Sequence, residues 1–393
     1  MATPLLNQEI VTPVYDPYDL WSTQLGVDVR RRYYAGKLGG KLGAIGLGVL
    51  DWLIPNIIRK VTRARPRIYP IVVAHEILRL KYARALAGQE AVQFLELLKS
   101  VAVDPVGASG WAWGLGFPWM SKNGLYGADI PFVTHTPYVM EALLALADFR
   151  EVQSEAYAVF RNTLDFLDAL KVMHQGDDDL AVSYAPVDEP RIVVNANAYA
   201  SLSYVLHAIH GVPEVRPTSR DKAIRTARWV IRQQQPDGSW FYYADSDTGN
   251  FIDCFHSCFV IKNLLKVRNA IPDISAEIDV ALEQGWRFVK SEIFDHDHGL
   301  CKRFIHRDIR DPFRWDLYDQ AEYLGLLLDF GQLMEATQFD EQVTSCFRQG
   351  GDWFSRLDIT GRRWGKNYLR WGIAPYLYHQ ARLHSNLTDG KGE

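Results

Sequence analysis

Glycine- and aromatic-rich turns recur along this chain at an interval of about sixty residues, and that period restricts the fold more than any other feature. The turns are Gly110–Trp119, Asp237–Trp240, Gly299–Phe304 and Gly361–Trp364, with a weaker member at Leu180–Pro186. With Trp113, Ser183, Trp240, Arg303 and Trp364 as markers, the separations are 70, 57, 63 and 61 residues. A unit of that length holds two helices of about 20 residues, each about 30 Å long, with their loops, and is too long for the usual β repeats.

The segments between the turns carry apolar residues at helical spacing. They are Pro137–Phe149, Ala156–Val172, Ala198–Ile209, Asp221–Gln234, Ile252–Val267, Ile278–Ile293, Asp316–Leu333, Phe339–Leu357 and Ile373–Leu383. Ile71–Leu98 and a segment near Leu47–Val61 bring the expectation to about eleven or twelve helices. Gly176, Gly211, Pro236, Pro272 and Gly299 stand where helices should stop. Strand-like runs are short and confined to the turns, as at Trp240–Tyr243.

Ala198–Ile209 and Tyr323–Leu333 are nearly apolar all round, as inner helices sheathed by others must be. Asp221–Gln234 carries Arg and Lys along one face, as an outer helix should. Repeated α-hairpins stack as an open solenoid or close into a ring, and two such layers favour closure. The expectation is an all-α protein: an (α/α)6 toroid over residues 67–393, with short β-turn segments. An N-terminal extension over 1–66 is expected to pack on it.

A net charge of −4 over 393 residues speaks against a nucleic-acid binder. Four cysteines are too few for a disulfide scaffold. Cys254 and Cys258 read as buried thiols rather than a metal pair, and Asp295-His296-Asp297-His298 reads as a solvated turn. No metal or cofactor is therefore expected. Met1–Tyr18 is polar and Pro-rich, unlike a signal peptide, so the expected compartment is the cytoplasm. Leu42–Ile58 is apolar but shorter than a comfortable span and interrupted by Asp51 and Pro55. With Arg30–Arg32, Lys37 and Lys41 just before it, it is a candidate for peripheral contact with the inner membrane; packing against the body is the competing reading.

In a ring of hairpins the loops leading into the inner helices meet at one mouth. Here they read Val133-Thr134-His135-Thr136-Pro137, Val194-Asn195-Ala196-Asn197, Ile252-Asp253-Cys254-Phe255-His256, Arg314 to Gln320, and Tyr368-Leu369-Arg370-Trp371-Gly372. Each polar group alone is an ordinary helix cap. Five polar approaches, together with Trp111, Trp113, Trp119, Trp240, Trp315, Trp364 and Trp371, fit a saccharide groove: indole faces stack on sugar rings and polar groups satisfy hydroxyls. Candidate binding residues are Trp119, His135, Asn195, Asn197, Trp240, Tyr242, Arg303, Asp316, Tyr318 and Arg370. The two arginines are expected to hold a uronate carboxylate or a phosphate.

The sharpest cluster for chemistry is Asp253 and His256, three residues apart and so on one helix face. A carboxylate orients an imidazole and stabilises its protonated form, which suits general acid–base work. Asp237 is a second candidate carboxylate, with a plain turn former as its alternative. Tyr184 is a candidate proton donor, as are Tyr242 and Tyr318. Paired carboxylates suit glycoside hydrolysis, and His with Tyr suits epimerisation or elimination beside a carboxyl; spacing does not choose between them.

Trp113 to Ser121, Asn195-Ala196-Asn197, Asp237-Gly238-Ser239-Trp240, Ile252 to His256 and Tyr15-Asp16-Pro17-Tyr18-Asp19 resemble the toroidal proteins of bacterial capsule and exopolysaccharide clusters. Arg370 to Pro375 is similar to the end of the glucuronyl C5-epimerases. The resemblance implies an (α/α)6 fold, a role in surface polysaccharide biosynthesis, and a saccharide or lipid-linked oligosaccharide as partner. Two other classes compete. One is a non-catalytic saccharide-binding or scaffold protein. The other is a terpene-cyclase-like enzyme, suggested by Gln233 to Trp240, although neither Asp177-Asp178-Asp179 nor Asp245-Ser246-Asp247-Thr248 completes the acidic cluster that cyclisation by protonation needs.

Overall fold

The computed structural model describes residues 12–103, 110–247, 249–306 and 311–389; the start of Met1–Tyr18 and Thr248 lie outside the described residues. Fourteen helices are found among them. Three come first: α1 (Gln24–Tyr34), α2 (Leu38–Leu53) and α3 (Pro55–Val61). Then inner and outer helices alternate. The inner ones are α4 (Pro70–Tyr82), α6 (Thr136–Leu146), α8 (Val194–His210), α10 (Cys254–Ala270), α12 (Leu317–Asp329) and α14 (Ala374–Asp389). The outer ones are α5 (Gly88–Ser100), α7 (Gln153–Ala169), α9 (Arg216–Arg232), α11 (Ser275–Phe288) and α13 (Leu333–Phe347).

Each inner helix touches the next and α14 closes against α4, so the ring is complete; each outer helix leans on the inner helix before it in the chain. The molecule is an (α/α)6 toroid. Burial separates the layers as the sequence pattern requires. Fourteen of the 17 residues of α8 and 12 of the 13 of α12 are buried, against six of 17 in α9.

The recurring turns have a structural reason. The Trp113 indole donates to the Leu98 carbonyl and the Trp240 indole to the Val230 carbonyl, at 2.8 and 3.0 Å. Both carbonyls lie in the last turn of an outer helix, where regular helical bonding runs out; Val230 also accepts from the Gln233 N–H at 3.1 Å. Leaving one unmade in this buried setting costs about 1–3 kcal/mol. A second device repeats in step. Thr136, Asn197 and Gln320, each in the first turn of an inner helix, hydrogen-bond both backbone groups of one turn residue: Trp113, Val182 and Cys301 respectively.

Two expected helices are corrected. Ile71–Leu98 is two helices, α4 and α5, with Arg84 in the left-handed region at φ 53° between them. Phe339–Leu357 is helical only to Phe347; Gly350 and Gly351 at positive φ then turn the chain into the strand Asp352–Asp358. That strand pairs with Arg348–Gln349, Phe313–Asp316 and Arg363–Lys366 in a four-stranded sheet, a larger β element than the turns foretold.

Residues 14–67 lie across the end where the inner helices begin. Val14 bridges to Arg67; Trp52 donates to the Asp358 carboxylate, Trp364 to the Asp51 carbonyl, and Arg362 to the Trp52 carbonyl. Arg30 donates to the Met120 carbonyl and stacks 3.8 Å from Trp119. α1 and α2 meet closely at Gly40, where a Cβ would stand 2.3 Å from the α1 backbone.

Candidate functional site

The starts of the inner helices carry the polar groups. Asp253 caps α10 and Asp316 caps α12, each with a side-chain oxygen that accepts a first-turn backbone N–H, from His256 and Tyr318. The Asp253 carboxylate also receives His256 Nδ1, at 2.9 and 2.7 Å. That bond assigns the proton to Nδ1 and leaves the Nε2 lone pair outward. Among the described residues Nε2 has no hydrogen-bond partner, and the imidazole is 21% exposed whereas the Asp253 side chain is 2% exposed. The ring is wedged between Phe255 and Tyr242, at 4.1 and 4.6 Å.

A run of aromatic rings in mutual contact continues from His256 across the mouth. Phe255 meets Tyr318 edge-on at 5.2 Å, Tyr318 stacks on Trp371 at 5.2 Å, and Tyr18 closes on Trp371 and Trp119 at 4.8 and 4.5 Å. Arg370 stands among them. Its charge draws down the phenols of Tyr18, Tyr184 and Tyr318 against the burial that raises each, leaving Tyr184 at about 12. Burial, helped by Arg370, also holds His135 down to about 3, so this imidazole is neutral. One guanidinium thus acts on side chains from four chain segments, which lie near one another at the mouth.

Not every expected residue takes part. Asp237 is exposed, and its carboxylate accepts from the Ser239 N–H and hydroxyl; it is a turn former. Trp240 is a buried anchor, as are Trp113 and Trp364, each with its N–H on a backbone carbonyl. Asn197 spends its amide on Val182 and Val193. Asp316 is saturated by Arg356 and Trp371, at 2.8 and 2.7 Å. Arg303 is bound to Asp311 at 2.5 Å and to the Phe313 carbonyl. Arg370 holds Asp16 through two bonds of 2.6 Å. Neither arginine is free for a substrate anion.

His256, Asp253, Tyr242, Tyr318, Trp119, His135 and Tyr184 remain at the mouth, with Tyr184 bonded through its hydroxyl to Thr134. Asn195 is beside them in the α8 first turn. Among the described residues His135 Nε2 and Asn195 Oδ1 are buried without a hydrogen-bond partner. Such atoms are rare in folded proteins unless water or a ligand satisfies them.

The sequence reading missed several groups. Tyr18 and Asp16 reach the lumen from the N-terminal segment; the alternation of acid and aromatic in Tyr15 to Asp19 was the available signal. Glu189 accepts from Tyr126 and from the Tyr184 N–H, and burial pushes it up to about 7. Deeper in the ring, Lys262 joins Glu322 at 2.6 Å and Tyr138 at 2.8 Å, and Tyr138 reaches Tyr199. Lys262 lies inside a helix with no distinguishing spacing. Asp319, also buried, accepts from the Phe255 N–H; burial, then Asp316 and Asp253, raise its carboxyl far above the usual range.

The acidic runs weighed for cyclisation are held in ion pairs, with Asp178 and Asp245 near the surface and Asp179 buried. Asp178 and Asp179 meet Arg232, and Asp245 meets Arg191. The Cys254 and Cys258 sulfurs are buried 4.0 Å apart as free thiols. His298 leans on Asp295 in an exposed turn.

No protein-family model matches the chain, and no curated protein does. Solved structures share its fold. A cellobiose 2-epimerase from Spirochaeta thermophila aligns at 15% identity, over 83% of this chain and 87% of that one, with a TM-score of 0.54. A GH76 α-mannanase from Bacteroides thetaiotaomicron aligns at 13%, over 82% and 88%, also with 0.54. A D-mannose isomerase aligns at 14%, over 81% and 87%, with 0.56. At such identities the likeness is one of fold.

Proposed function

We propose that this chain is a carbohydrate-modifying enzyme that binds a saccharide in the mouth of the toroid and moves a proton on it with His256. The observation that carries this is the Asp253–His256 pair. A carboxylate fixes the ring through Nδ1, and Nε2, without a partner among the described residues, is left on a partly exposed imidazole beside aromatic side chains, the arrangement a general base requires. Tyr242, against the same ring, is placed to act as the partner acid. Together they suit proton abstraction from a sugar carbon beside a carbonyl: C2 of a ring-opened neutral reducing sugar, giving epimerisation, or C5 beside a uronate carboxyl, giving epimerisation or elimination. That the fold is shared with an epimerase, an isomerase and a glycoside hydrolase supports the substrate class and does not select the reaction.

Hydrolysis is the second reading. Its acid would be Asp319, kept protonated by burial near Asp253 and Asp316. A neutral sugar suits the lumen better than an anionic one, because a substrate carboxylate would have to displace Asp16 from Arg370. A place in surface polysaccharide synthesis rests on the sequence resemblance. The amides, carboxylate and imidazole at the mouth argue against a carbocation cavity.

The test is incubation with neutral and uronate-containing bacterial polysaccharides in deuterated water, followed by NMR and mass spectrometry. Deuterium at a ring carbon is expected from the wild type and not from His256→Ala. An unsaturated sugar would mean elimination, and released oligosaccharide without deuterium would mean hydrolysis. Glycan binding with no chemical change would replace the enzyme reading with a binding or scaffold role.

A further inference from the structure

The first three helices carry a feature that the lumen chemistry does not use. Leu38, Leu42, Ile45, Val49 and Leu53 follow one another at three- and four-residue steps along α2, and Ile57 and Val61 continue the series on α3. All seven are exposed, Leu38 and Val61 by more than 70%. At 100° per residue the α2 members fall within about 80° of arc, opposite Gly40, Leu47 and Asp51, the buried residues of that helix. The face toward the protein is therefore already occupied, and the apolar stripe points away from it. Scattered exposed apolar residues are ordinary, but a continuous stripe of seven marks an interaction surface.

The charges around the stripe identify what covers it. Residues 29–67 contain ten basic residues and one acidic residue, Asp51, which is buried on Arg59. Arg31, Arg32, Lys37, Lys41, Lys60, Arg63 and Arg65 are exposed. The whole chain is nonetheless negative, so the rest of it is acidic. An apolar stripe rimmed by lysine and arginine is the makeup of a helix lying in the interface of an anionic bilayer. Pairing with a second copy is disfavoured, since an isologous contact would bring two basic rims together. Crossing is excluded by length: α2 has 16 residues, about 24 Å, against about 30 Å of hydrocarbon. No helix among the described residues is long and apolar enough to cross a membrane.

We propose that α2 and α3 dock in the plane of an anionic lipid surface, with the seven-residue stripe immersed and the basic rim at the headgroups. Docking this way turns the mouth of the toroid toward the membrane, because Trp52, Asp51 and Arg30 fasten these helices to the mouth loops. A saccharide attached to a lipid would meet the lumen there. The docking surface shares no residue with the His256 site and stands or falls independently of it.

The test is flotation of the full chain with vesicles of phosphatidylcholine alone or of phosphatidylcholine with phosphatidylglycerol. The wild type is expected to float with the anionic vesicles and to be released by salt, since the basic rim is screened beyond about 10 Å at 0.1 M. Leu42→Asp with Ile45→Asp is expected to abolish flotation. Lys37→Glu with Lys41→Glu should weaken partitioning about tenfold or more. Both pairs are solvent-facing, so circular dichroism and the thermal midpoint should match the wild type. Absence of flotation at low salt, or flotation that neither double variant changes, would overturn docking. A concentration-dependent dimer in sedimentation, abolished by Leu42→Asp with Ile45→Asp and without vesicle binding, would assign the stripe to a second copy.

Discussion

Asp253 and Asp316 occupy equivalent places one hairpin apart: each is the N-cap of an inner helix and each is buried at the mouth. Their surroundings separate them. Asp316 accepts from a backbone N–H, the Arg356 guanidinium and the Trp371 indole, so both of its oxygens are engaged by the scaffold. Asp253 hands its second interaction to an imidazole whose other nitrogen has no partner among the described residues. One carboxylate is scaffold and the other orients an imidazole, the group we propose as a base. A cap residue becomes functional when its partner still has an unsatisfied atom facing the lumen.

Breaking each member of this comparison should give different signatures. Removing the base has the largest expected effect. His256→Ala should lower turnover about 10²–10⁴-fold while the thermal midpoint stays close to the wild type. Asp253→Asn, which loses the charge and the tautomer control, should fall in the same range; full activity in either variant would sink the assignment. Asp316→Ala should instead act on stability. It strands the buried Arg356 charge and costs about 3 kcal/mol or more, read as a lower urea midpoint. If it spared stability and removed only activity, the contrast between the two caps would be reversed.

A comparison of histidines gives a smaller effect. Unlike His256, His207 is fully buried, bonded to Thr163 and held down to about 4 by burial, below the 6.5 of a free imidazole. Its folded pKa is depressed, so the unfolded chain binds more protons between these values. Its stabilising contribution is complete above about pH 6.5 and is lost as the pH falls toward 4. Urea midpoints across that window should therefore fall more steeply with acid for the wild type than for His207→Gln, by up to about 1.4 kcal/mol per pH unit. Glu189 and Asp19, both pushed up to about 7, act in the opposite sense and cancel in the difference between the two proteins. Equal slopes would show that His207 takes up a proton without unfolding the ring.

The smallest effect is expected at Asp237. Asp237→Ala removes two bonds within an exposed turn and should cost no more than about 1 kcal/mol, with turnover unchanged. A large loss of activity there would restore it as a catalytic candidate.

The sixty-residue period was legible because it has a repeated cause. Two outer helices end on an indole donor, Trp113 and Trp240, and three turns are held by the same clamp, from Thr136, Asn197 and Gln320. The same devices misled the reading of function. Asn197 and Trp240 look like sugar ligands in the sequence because they recur at the mouth, and they recur because every hairpin must be fastened. The Asp253–His256 pair was readable because three residues in a helix fix the neighbours whatever the rest of the chain does. Tyr18, Asp16 and the Lys262–Glu322 bond were not, since their partners are distant in the sequence: Arg370 lies 354 residues from Asp16, and Glu322 lies 60 from Lys262.

Local spacing thus determined the repeat, the two helical layers and one acid–base pair, because helical geometry converts sequence distance into position over a few turns. Closure of α14 on α4 decided the rest. It brought the N-terminal segment and the residues leading into α14 together at one mouth, spent Arg370 on Asp16, set Tyr18 against Trp371 and Trp119, and left His256 Nε2 without a partner among the described residues. Which polar groups remain unsatisfied depends on every neighbour in three dimensions, and no pattern along the chain records that.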